Sequence, residues 1–333
     1  MRRTENPADL DVDDELPFET VSSATTTRYE RFYRVFDQWL LAPLRILWSD
    51  WRGKIGIPLI MMYVLMGTVG VMVVPRPTTD TLNLLVGPFE VLKYPLGTDA
   101  AGRGILRQVI HATPPMLEMI LAGGVFAVLL GVVIGMVAGY KGGRTDTVLM
   151  IFTDTLMTLP GLPLVIVLAF LFSPSSPALI GILIAINAWT GLARAIRSQM
   201  LPLRDVAYVE ANRLMGIPTP TILLKDITPN LAPYIAVNFV TASRQIIFAS
   251  VALYFLGVLP SSKPNWGVMM DRAYSSGGAL YSWDAAHWML TPMLAVVLFS
   301  LGFIFIAQAA DRLFNPRIRA RHQKTTADEE AES

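Results

Sequence analysis

Six apolar runs of about twenty residues each set the limits on what this chain of 333 residues can fold into. An α-helix rises about 1.5 Å per residue, so roughly twenty apolar residues cross the ~30 Å hydrocarbon core of a bilayer. The chain is 53% hydrophobic and 16% charged, which is too apolar for an ordinary soluble domain. The sequence therefore predicts an all-α integral membrane protein with six transmembrane helices, at residues 55–74, 117–138, 148–172, 178–195, 231–258 and 288–310.

Two of these runs carry residues that shape helix packing. Pro160 and Pro163 in the third run free backbone carbonyls and predict a kink, which is tolerable only where protein or water receives those groups. The second run is rich in glycine, which lets neighbouring helices approach closely. Its glycines are Gly123, Gly124, Gly131, Gly135 and Gly139.

The remaining parts of the chain are polar. Residues 1–27 are acidic and rich in Ser and Thr, a composition that favours disorder. Residues 28–54 interleave aromatic and basic side chains and predict an interfacial amphipathic helix that leads into the first span. Residues 55–320 form the predicted membrane domain, and residues 321–333 form a C-terminal tail.

The distribution of Lys and Arg predicts the orientation. The flank 45–54, the turn 141–144, the segment 194–225 and the tail 312–324 place about fifteen positive residues on one face, against about six on the other. Six spans put both termini on the same face. The termini and the segment between the fourth and fifth runs are therefore expected to be cytoplasmic.

That segment, residues 204–230, is polar and lies between two apolar runs. Asp205 can cap a first helix of about ten residues, and Gly216 supplies the left-handed residue that ends it. Thr219-Pro220 is typical of the start of a second short helix, which Pro229 is expected to close. Helices this short bury little by themselves, so we expect them to present side chains to something outside the membrane.

The segment resembles the EAA loop of binding-protein-dependent ABC importer permeases, which couples the permease to its ATPase. Asn212 replaces the second alanine of that motif, and Thr228 stands where leucine is usual. The matching positions are Glu210, Ala211, Gly216, Ile227, Pro229 and Asn230. An ordinary amphipathic loop between membrane helices is the alternative interpretation.

Further motifs resemble the C-type permeases of dipeptide, oligopeptide and nickel ABC importers, and the likeness covers roughly residues 55–320. Gly104 departs from the family pattern, as do Ser250, where glutamate is frequent, and the stretch HATPP. The motifs, in order, are GTDAAGRGIL at 97–106, GYKGGRTD at 139–146 with Asp154 and Pro160, WTGLARAIRSQML at 189–201, FLG at 255–257, NWG at 265–267 and NPR at 315–317.

The resemblance implies a permease subunit of a type I ABC importer, in the inner membrane, that forms the translocation pathway for peptides or similar small solutes. It implies a second, related permease subunit, two cytoplasmic ABC ATPase subunits that bind ATP and Mg, and an extracytoplasmic solute-binding protein received by segments 97–111 and 261–287. Interfacial anchoring explains the aromatic residues of those segments nearly as well. The residues expected to couple to the ATPase are Tyr208, Glu210, Ala211, Met215, Gly216, Ile227 and Pro229.

Polar residues inside the runs are candidates for the translocation pathway. Arg244 is the most expensive of them, because a charged side chain in a membrane normally faces a cavity or a partner. Asp154 is its candidate counter-charge, and a snorkelling arginine near an interface is the alternative. Asn187 and Asn238 are more typical of interhelical hydrogen bonding than of substrate contact. The tentative set is Asp154, Asn187, Asn238, Arg244 and Gln245.

Other chemistries find little support. The chain has no cysteine, and its three histidines lack companion carboxylates at ligand spacing, so neither thiolate chemistry nor a metal site is expected. GTDAAGRG lacks the Lys-Ser/Thr pair of a phosphate-binding loop, so no cofactor is expected in this chain. No Ser-His-Asp set or pair of carboxylates can be assembled, so no catalytic residues are expected. The charges are spread between membrane flanks and tails, and no nucleic-acid partner is expected. The rival functions are an ion-gradient-driven secondary transporter and a non-transporting membrane scaffold.

Overall fold

A computed structural model describes residues 47–260, 263–276, 279 and 282–314. Some sequence predictions lie outside these residues: the tail 1–27, most of the interfacial helix 28–54, the NPR motif 315–317 and the tail 321–333. The described part is helical, with one isolated β-bridge between Thr98 and Gly104. Its helices are α1 (Trp51–Val73), α2 (Ile105–Lys141), α3 (Gly143–Thr158), α4 (Gly161–Phe172), α5 (Pro177–Ile184), α6 (Trp189–Leu203), α7 (Ala207–Leu214), α8 (Thr219–Thr221), α9 (Thr228–Phe255), α10 (Trp266–Ser276) and α11 (Trp283–Phe314).

Four of the predicted spans are continuous helices that are long and apolar enough to cross a membrane, namely α1, α2, α9 and α11. The predicted third and fourth spans are each broken into two helices. The axes of α3 and α4 meet at 88°, and those of α5 and α6 meet at 59°. The described residues thus hold four spans, or up to six if each bent pair counts as one.

Several helix boundaries differ from the sequence prediction, those of α1 and α2 among them. The first span begins at Trp51, because the Asp50 carboxylate accepts a hydrogen bond from the Arg52 amide at 2.9 Å and caps the helix there. Residues 51–54 therefore belong to α1. Helix α2 begins at Ile105 and has 37 residues, so it is about 55 Å long and exceeds the thickness of the hydrocarbon core.

Helix α2 is the centre of the fold, and small residues let its neighbours approach closely. A Cβ added to Gly123 would lie 2.3 Å from the Gly181 carbonyl oxygen of α5, and one added to Gly135 would lie 2.4 Å from the Ala193 carbonyl oxygen of α6. Such distances are far below van der Waals contact, so these positions need glycine. The prediction of close helix approach along α2 is confirmed.

An aromatic cluster joins α1, α10 and α11. The Tyr63 hydroxyl donates a hydrogen bond to the Ala295 carbonyl at 2.8 Å, and the Tyr63 ring packs against Trp266 and Phe299. The Trp266 indole donates to the Val109 carbonyl of α2 at 3.3 Å. These contacts hold α10 against the membrane helices.

Candidate functional site

The predicted coupling segment, residues 204–230, is anchored to the helical bundle by an apolar inner face. Val209, Ile222 and Ile227 are fully buried. They pack in one cluster with side chains of α2, α6 and α9: Met136, Tyr140, Leu192, Ile196, Met200 and Leu231. At roughly 2 kcal/mol for each buried aliphatic side chain, the three loop residues contribute on the order of 6 kcal/mol before entropy is counted.

Hydrogen bonds join the two arms of the segment. The Asn212 amide donates to the Asp226 carboxylate at 2.8 Å, so the asparagine that replaces the usual alanine ties the first arm to the second. The Asn230 amide donates to the Tyr208 hydroxyl at 3.2 Å and to the Asp226 carbonyl at 2.7 Å. Arg213 lies over the Tyr140 ring of α2, 5.0 Å from its centroid. The arms and the membrane helices therefore form one connected unit.

The turn between the arms is where the sequence predicted it. Gly216 has a φ of +74°, and its amide donates to the Arg213 carbonyl at 3.0 Å. A Cβ at Gly216 would meet no atom within 4 Å, so the backbone angle alone favours glycine there.

The two ends of the segment differ from the prediction. Asp205 does not cap the first helix: α7 begins at Ala207, with Val206 at the N-cap position, and the Asp205 carboxylate pairs with the neighbouring Arg204 at 3.3 Å. Nor does Pro229 close the second arm. The chain passes from α8 through a π-helical turn, Ile222–Ile227, directly into α9, because a proline in the first turn of a helix loses no backbone hydrogen bond.

The outer face of the segment is exposed and partly apolar. Leu214 is 83% exposed, and Met215 and Leu224 are each 68% exposed. Tyr208, Glu210, Ala211, Gly216 and Pro229 are also exposed, whereas Ile227 lies in the buried cluster. Exposed aliphatic side chains next to a carboxylate are typical of a protein-binding surface. Of the predicted coupling residues, all but Ile227 are thus available to a partner.

Two ion pairs connect α3 with α6. The Arg197 guanidinium donates two hydrogen bonds to the Asp146 carboxylate, one to each oxygen, and the side chains are 34% and 15% exposed. The second pair joins Arg194 and Asp154 at 3.4 Å, with both side chains about half exposed. The sequence prediction named Arg244 as the partner of Asp154; the structure gives that place to Arg194.

Arg244 lies at the middle of the apolar stretch of α9 and opens onto a cleft between α9 and α11. The cleft has a volume of about 170 Å³, and its polar lining side chains are Thr241, Arg244 and Gln308. Among the described residues Arg244 has no hydrogen bond or ion pair. Gln245 is exposed, and the Asn238 amide donates to the Tyr234 carbonyl within the same helix at 2.8 Å, so Asn238 does not join two helices.

Asn187 connects the two broken spans. It lies in the break between α5 and α6, and its amide donates at 3.4 Å to the Leu159 carbonyl, at the break between α3 and α4. Pro163, four residues after Leu159, has no amide hydrogen to donate to that carbonyl, so Asn187 supplies the donor that a broken helix in a membrane requires. Asn187 thus contacts another span at this position, and its place in the translocation pathway stays a prediction.

Comparison with known proteins identifies the family. Residues 131–320, more than half of the chain, match the family model described as binding-protein-dependent transport system inner membrane component. The chain belongs to this family. It is therefore a multi-pass inner-membrane permease subunit of a binding-protein-dependent ABC importer, and the family consists of transporter permease subunits rather than enzymes.

Similar curated proteins include three permeases. The oligopeptide transport system permease protein OppC of Haemophilus influenzae is 34% identical over 67% of this chain and 70% of its own length. OppC of Bacillus subtilis is 28% identical over 84% of this chain and 90% of its own length. The glutathione transport system permease protein GsiD of Pectobacterium atrosepticum is 30% identical over 68% of this chain and 73% of its own length.

The GTDAAGRG motif of the permease folds into a compact turn ahead of α2. The Asp99 side chain is fully buried and accepts hydrogen bonds from the Ala101 and Arg103 amides, the Arg103 guanidinium and the Gln108 amide, all at 2.8–3.0 Å. The His287 ring of α11 lies 3.2 Å from the Thr98 carbonyl. The motif is therefore a structural clamp between the α1–α2 connection and α11, which explains its residue types without any phosphate chemistry.

Sequence reasoning missed several residues that position these surfaces. Arg194 and Arg197 were noted only as part of a motif, although both pair with aspartates of α3. Asn212 was read as a departure from the family pattern, yet it bonds the second arm. Glu118, which accepts from the Ala178 amide at 3.3 Å, carried no sequence signal beyond being an acid in an apolar run. No group of three or more potential metal-ligating side chains occurs in the described part of the chain.

Proposed function

We propose that this permease forms the translocation pathway of a peptide-importing ABC system together with a second, non-identical permease subunit. Residues 204–230 face the cytoplasm and dock onto an ATPase subunit; ATP and Mg bind to the two ATPase subunits and to no residue of this chain. Both termini are cytoplasmic, as the distribution of Lys and Arg favours. The names of the relatives, which refer to oligopeptide and glutathione transport, support a peptide or a similar small solute.

The observation that carries the proposal is the two-sided construction of the coupling segment. Its inner face is buried against α2, α6 and α9, and its outer face exposes Leu214, Met215 and Leu224. A segment that is firmly packed inside and apolar outside can transmit a displacement instead of absorbing it. Closure of the ATPase subunits on ATP then moves the segment, and the segment moves the three helices on which it is packed.

Within the segment, the residues have separate roles. Glu210 offers a charge-assisted contact to a basic group on the ATPase. Ala211 is small and exposed, so a partner can approach its backbone closely. Gly216 fixes the angle between the arms through its positive φ. Ile227 contributes by anchoring the second arm in the bundle instead of touching the partner.

The translocation pathway runs past the cleft at Arg244. A cationic side chain in the middle of an apolar helix needs water or a partner, and the cleft gives Arg244 space for water beside the polar side chains of Thr241 and Gln308. Asp154 lies apart from this cleft and acts with Arg194 in holding α3 against α6.

Two variants test whether the coupling segment transmits the movement of the ATPase subunits to the permease. Glu210→Lys reverses the exposed charge, and Gly216→Pro breaks the turn, because proline cannot adopt a φ of +74° and lacks the amide that bonds Arg213. We expect both to abolish ATP-driven solute uptake into vesicles while membrane insertion is unchanged. Gly143→Ala is the matched control, since Gly143 also has a positive φ, +55°, and open space around it, but lies outside the segment. Normal uptake by both variants at matched expression would contradict the proposal.

Co-purification separates the proposal from its two rivals. The importer permease brings down ATPase subunits and a second permease. A secondary transporter would be isolated alone, and a scaffold would bring down a cytosolic partner without ATPase activity. Family membership favours the importer.

A further inference from the structure

A cationic cleft lies between the GTDAAGRG turn and the N-terminal part of α10. Its volume is about 170 Å³. Three of its lining side chains are basic, Arg103, Lys263 and Arg272, and none of the described residues that line it is acidic. Gln108 and Asn265 complete its polar wall.

The positive charge of the cleft is only partly compensated. Arg103 uses its Nε and one terminal nitrogen on Asp99, whose carboxylate is fully buried behind it. Arg272 is half-buried and, in the described part of the chain, has no hydrogen bond or ion pair. Burial lowers the pKa of the Arg272 guanidinium and the neighbouring Arg103 lowers it further, while Asp99 and Asp271 act in the opposite direction. A half-buried guanidinium beside a second one is stabilised by an added anion.

The size and chemistry of the cleft favour a single carboxylate. A planar guanidinium binds a carboxylate through two parallel hydrogen bonds, and Arg272 has its whole donor edge free for this. A volume of about 170 Å³ accommodates one amino-acid side chain but no extended peptide. The Lys263 side chain is exposed at the rim, where it attracts an approaching anion.

We propose that this cleft receives an acidic side chain of the solute-binding protein when that protein docks on the permease. The inference rests on the proposed function, because the orientation given there places Arg103, Lys263 and Arg272 on the extracytoplasmic face. A binding-protein-dependent permease must contact a soluble protein on that face. The cleft supplies a charge-complementary site there, lined by the half-buried Arg272 and the exposed Lys263.

The test uses the complete transporter in nanodiscs and its cognate binding protein loaded with a peptide. The measured quantity is the binding-protein concentration that gives half-maximal stimulation of ATP hydrolysis. We expect Arg272→Ala to raise it about tenfold or more, with the maximal rate unchanged, because loss of one partner of a desolvated charge pair weakens docking strongly. The rise should shrink as salt is added. Lys263→Ala should give a smaller rise, and Arg272→Glu should be rescued by reversing the charge of one acidic residue on the binding protein.

Lys93→Ala is the matched control. Lys93 is a basic residue of the α1–α2 connection that lies outside the cleft and outside segments 97–111 and 261–287, and it pairs with Asp80 at 3.1 Å, so its loss should leave the half-maximal concentration unchanged. An unchanged value in both Arg272→Ala and Lys263→Ala overturns the inference. So does an effect confined to the peptide concentration at saturating binding protein, which would assign the cleft to the carboxylate of the solute. Wild-type transporter that shows no stimulation by any binding protein contradicts the proposed function itself.

Discussion

The Asn187 side-chain amide donates a hydrogen bond to the Leu159 carbonyl at 3.4 Å and so joins the breaks of two different spans. Each break leaves nearby backbone amide and carbonyl groups without their helical hydrogen bonds, and in lipid no water replaces those bonds. One asparagine thus stabilises a strongly bent arrangement in which α3 and α4 meet at 88°.

Removal of this amide should destabilise the bundle. We expect Asn187→Leu to lower the free energy of unfolding by about 1 kcal/mol, because the Leu159 carbonyl loses its donor. Thermal unfolding of the purified permease in detergent measures the loss. Asn238→Leu is the control, since the Asn238 bond lies within its own helix, and should give a smaller shift. Equal shifts for the two variants would show that Asn187 does not join the breaks.

The two faces of the coupling segment should respond differently to truncation. Ile222→Ala removes a fully buried side chain from the anchoring cluster and should cost about 2–4 kcal/mol of stability. Leu214→Ala removes an 83% exposed side chain and should leave the thermal midpoint unchanged while it weakens ATPase binding. Stability is measured by thermal unfolding, and binding by the ATPase retained on the purified permease. A stability loss for Leu214→Ala with full ATPase retention would reverse the assignment of the two faces.

The Asp146–Arg197 ion pair should contribute more to the stability of the permease than the Asp154–Arg194 pair. Arg197→Gln leaves a mostly buried carboxylate without its two hydrogen bonds and should cost about 1–3 kcal/mol. Arg194→Gln breaks a half-exposed pair and should cost no more than about 1 kcal/mol. A double-mutant cycle with Asp146→Asn isolates the coupling energy of the first pair. A coupling energy near zero would mean that the bidentate contact does not stabilise the permease.

Charge exchange distinguishes the two candidate partners of Asp154. We expect Asp154→Arg with Arg194→Asp to recover the expression and uptake that each single variant loses, because the residues lie 3.4 Å apart. Exchange of Asp154 with Arg244 should give no recovery. Uptake by all variants is compared at matched amounts in the membrane. If only the exchange of Asp154 with Arg244 restored uptake, Asp154 would instead lie at the cleft between α9 and α11.

Much of the fold follows from the sequence, because a membrane restricts what the backbone can do. Apolar length located the four continuous spans, and the glycines of α2 correctly predicted close helix approach. Pro160 predicted the break in the third span. The break between α5 and α6 has no proline to mark it, and it depends on the contact of Asn187 with another span, which no local pattern encodes.

The candidate site was predicted less completely, for a related reason. Gly216 could be placed from its local role at a helix end. The roles of Asp205 and Pro229 were predicted wrongly, because a residue that favours a helix end does not always form one. Asp205 pairs with Arg204 instead of capping α7, and Pro229 lies in the first turn of α9 instead of ending a helix. Asp154 pairs with Arg194 instead of Arg244 because α3 packs against α6. This tertiary contact cannot be predicted from residue types alone.

Disulfide cross-linking tests the central claim most directly. The chain has no cysteine, so Leu214→Cys places a single thiol on the exposed face of the coupling segment. Leu92→Cys, at a position 99% exposed in the α1–α2 connection, is the control for the opposite face. With cysteines placed in turn over the surface of the ATPase subunit, we expect Leu214→Cys to form a cross-link to it and Leu92→Cys to form none. A cross-link from Leu92→Cys, with none from Leu214→Cys, would contradict the account.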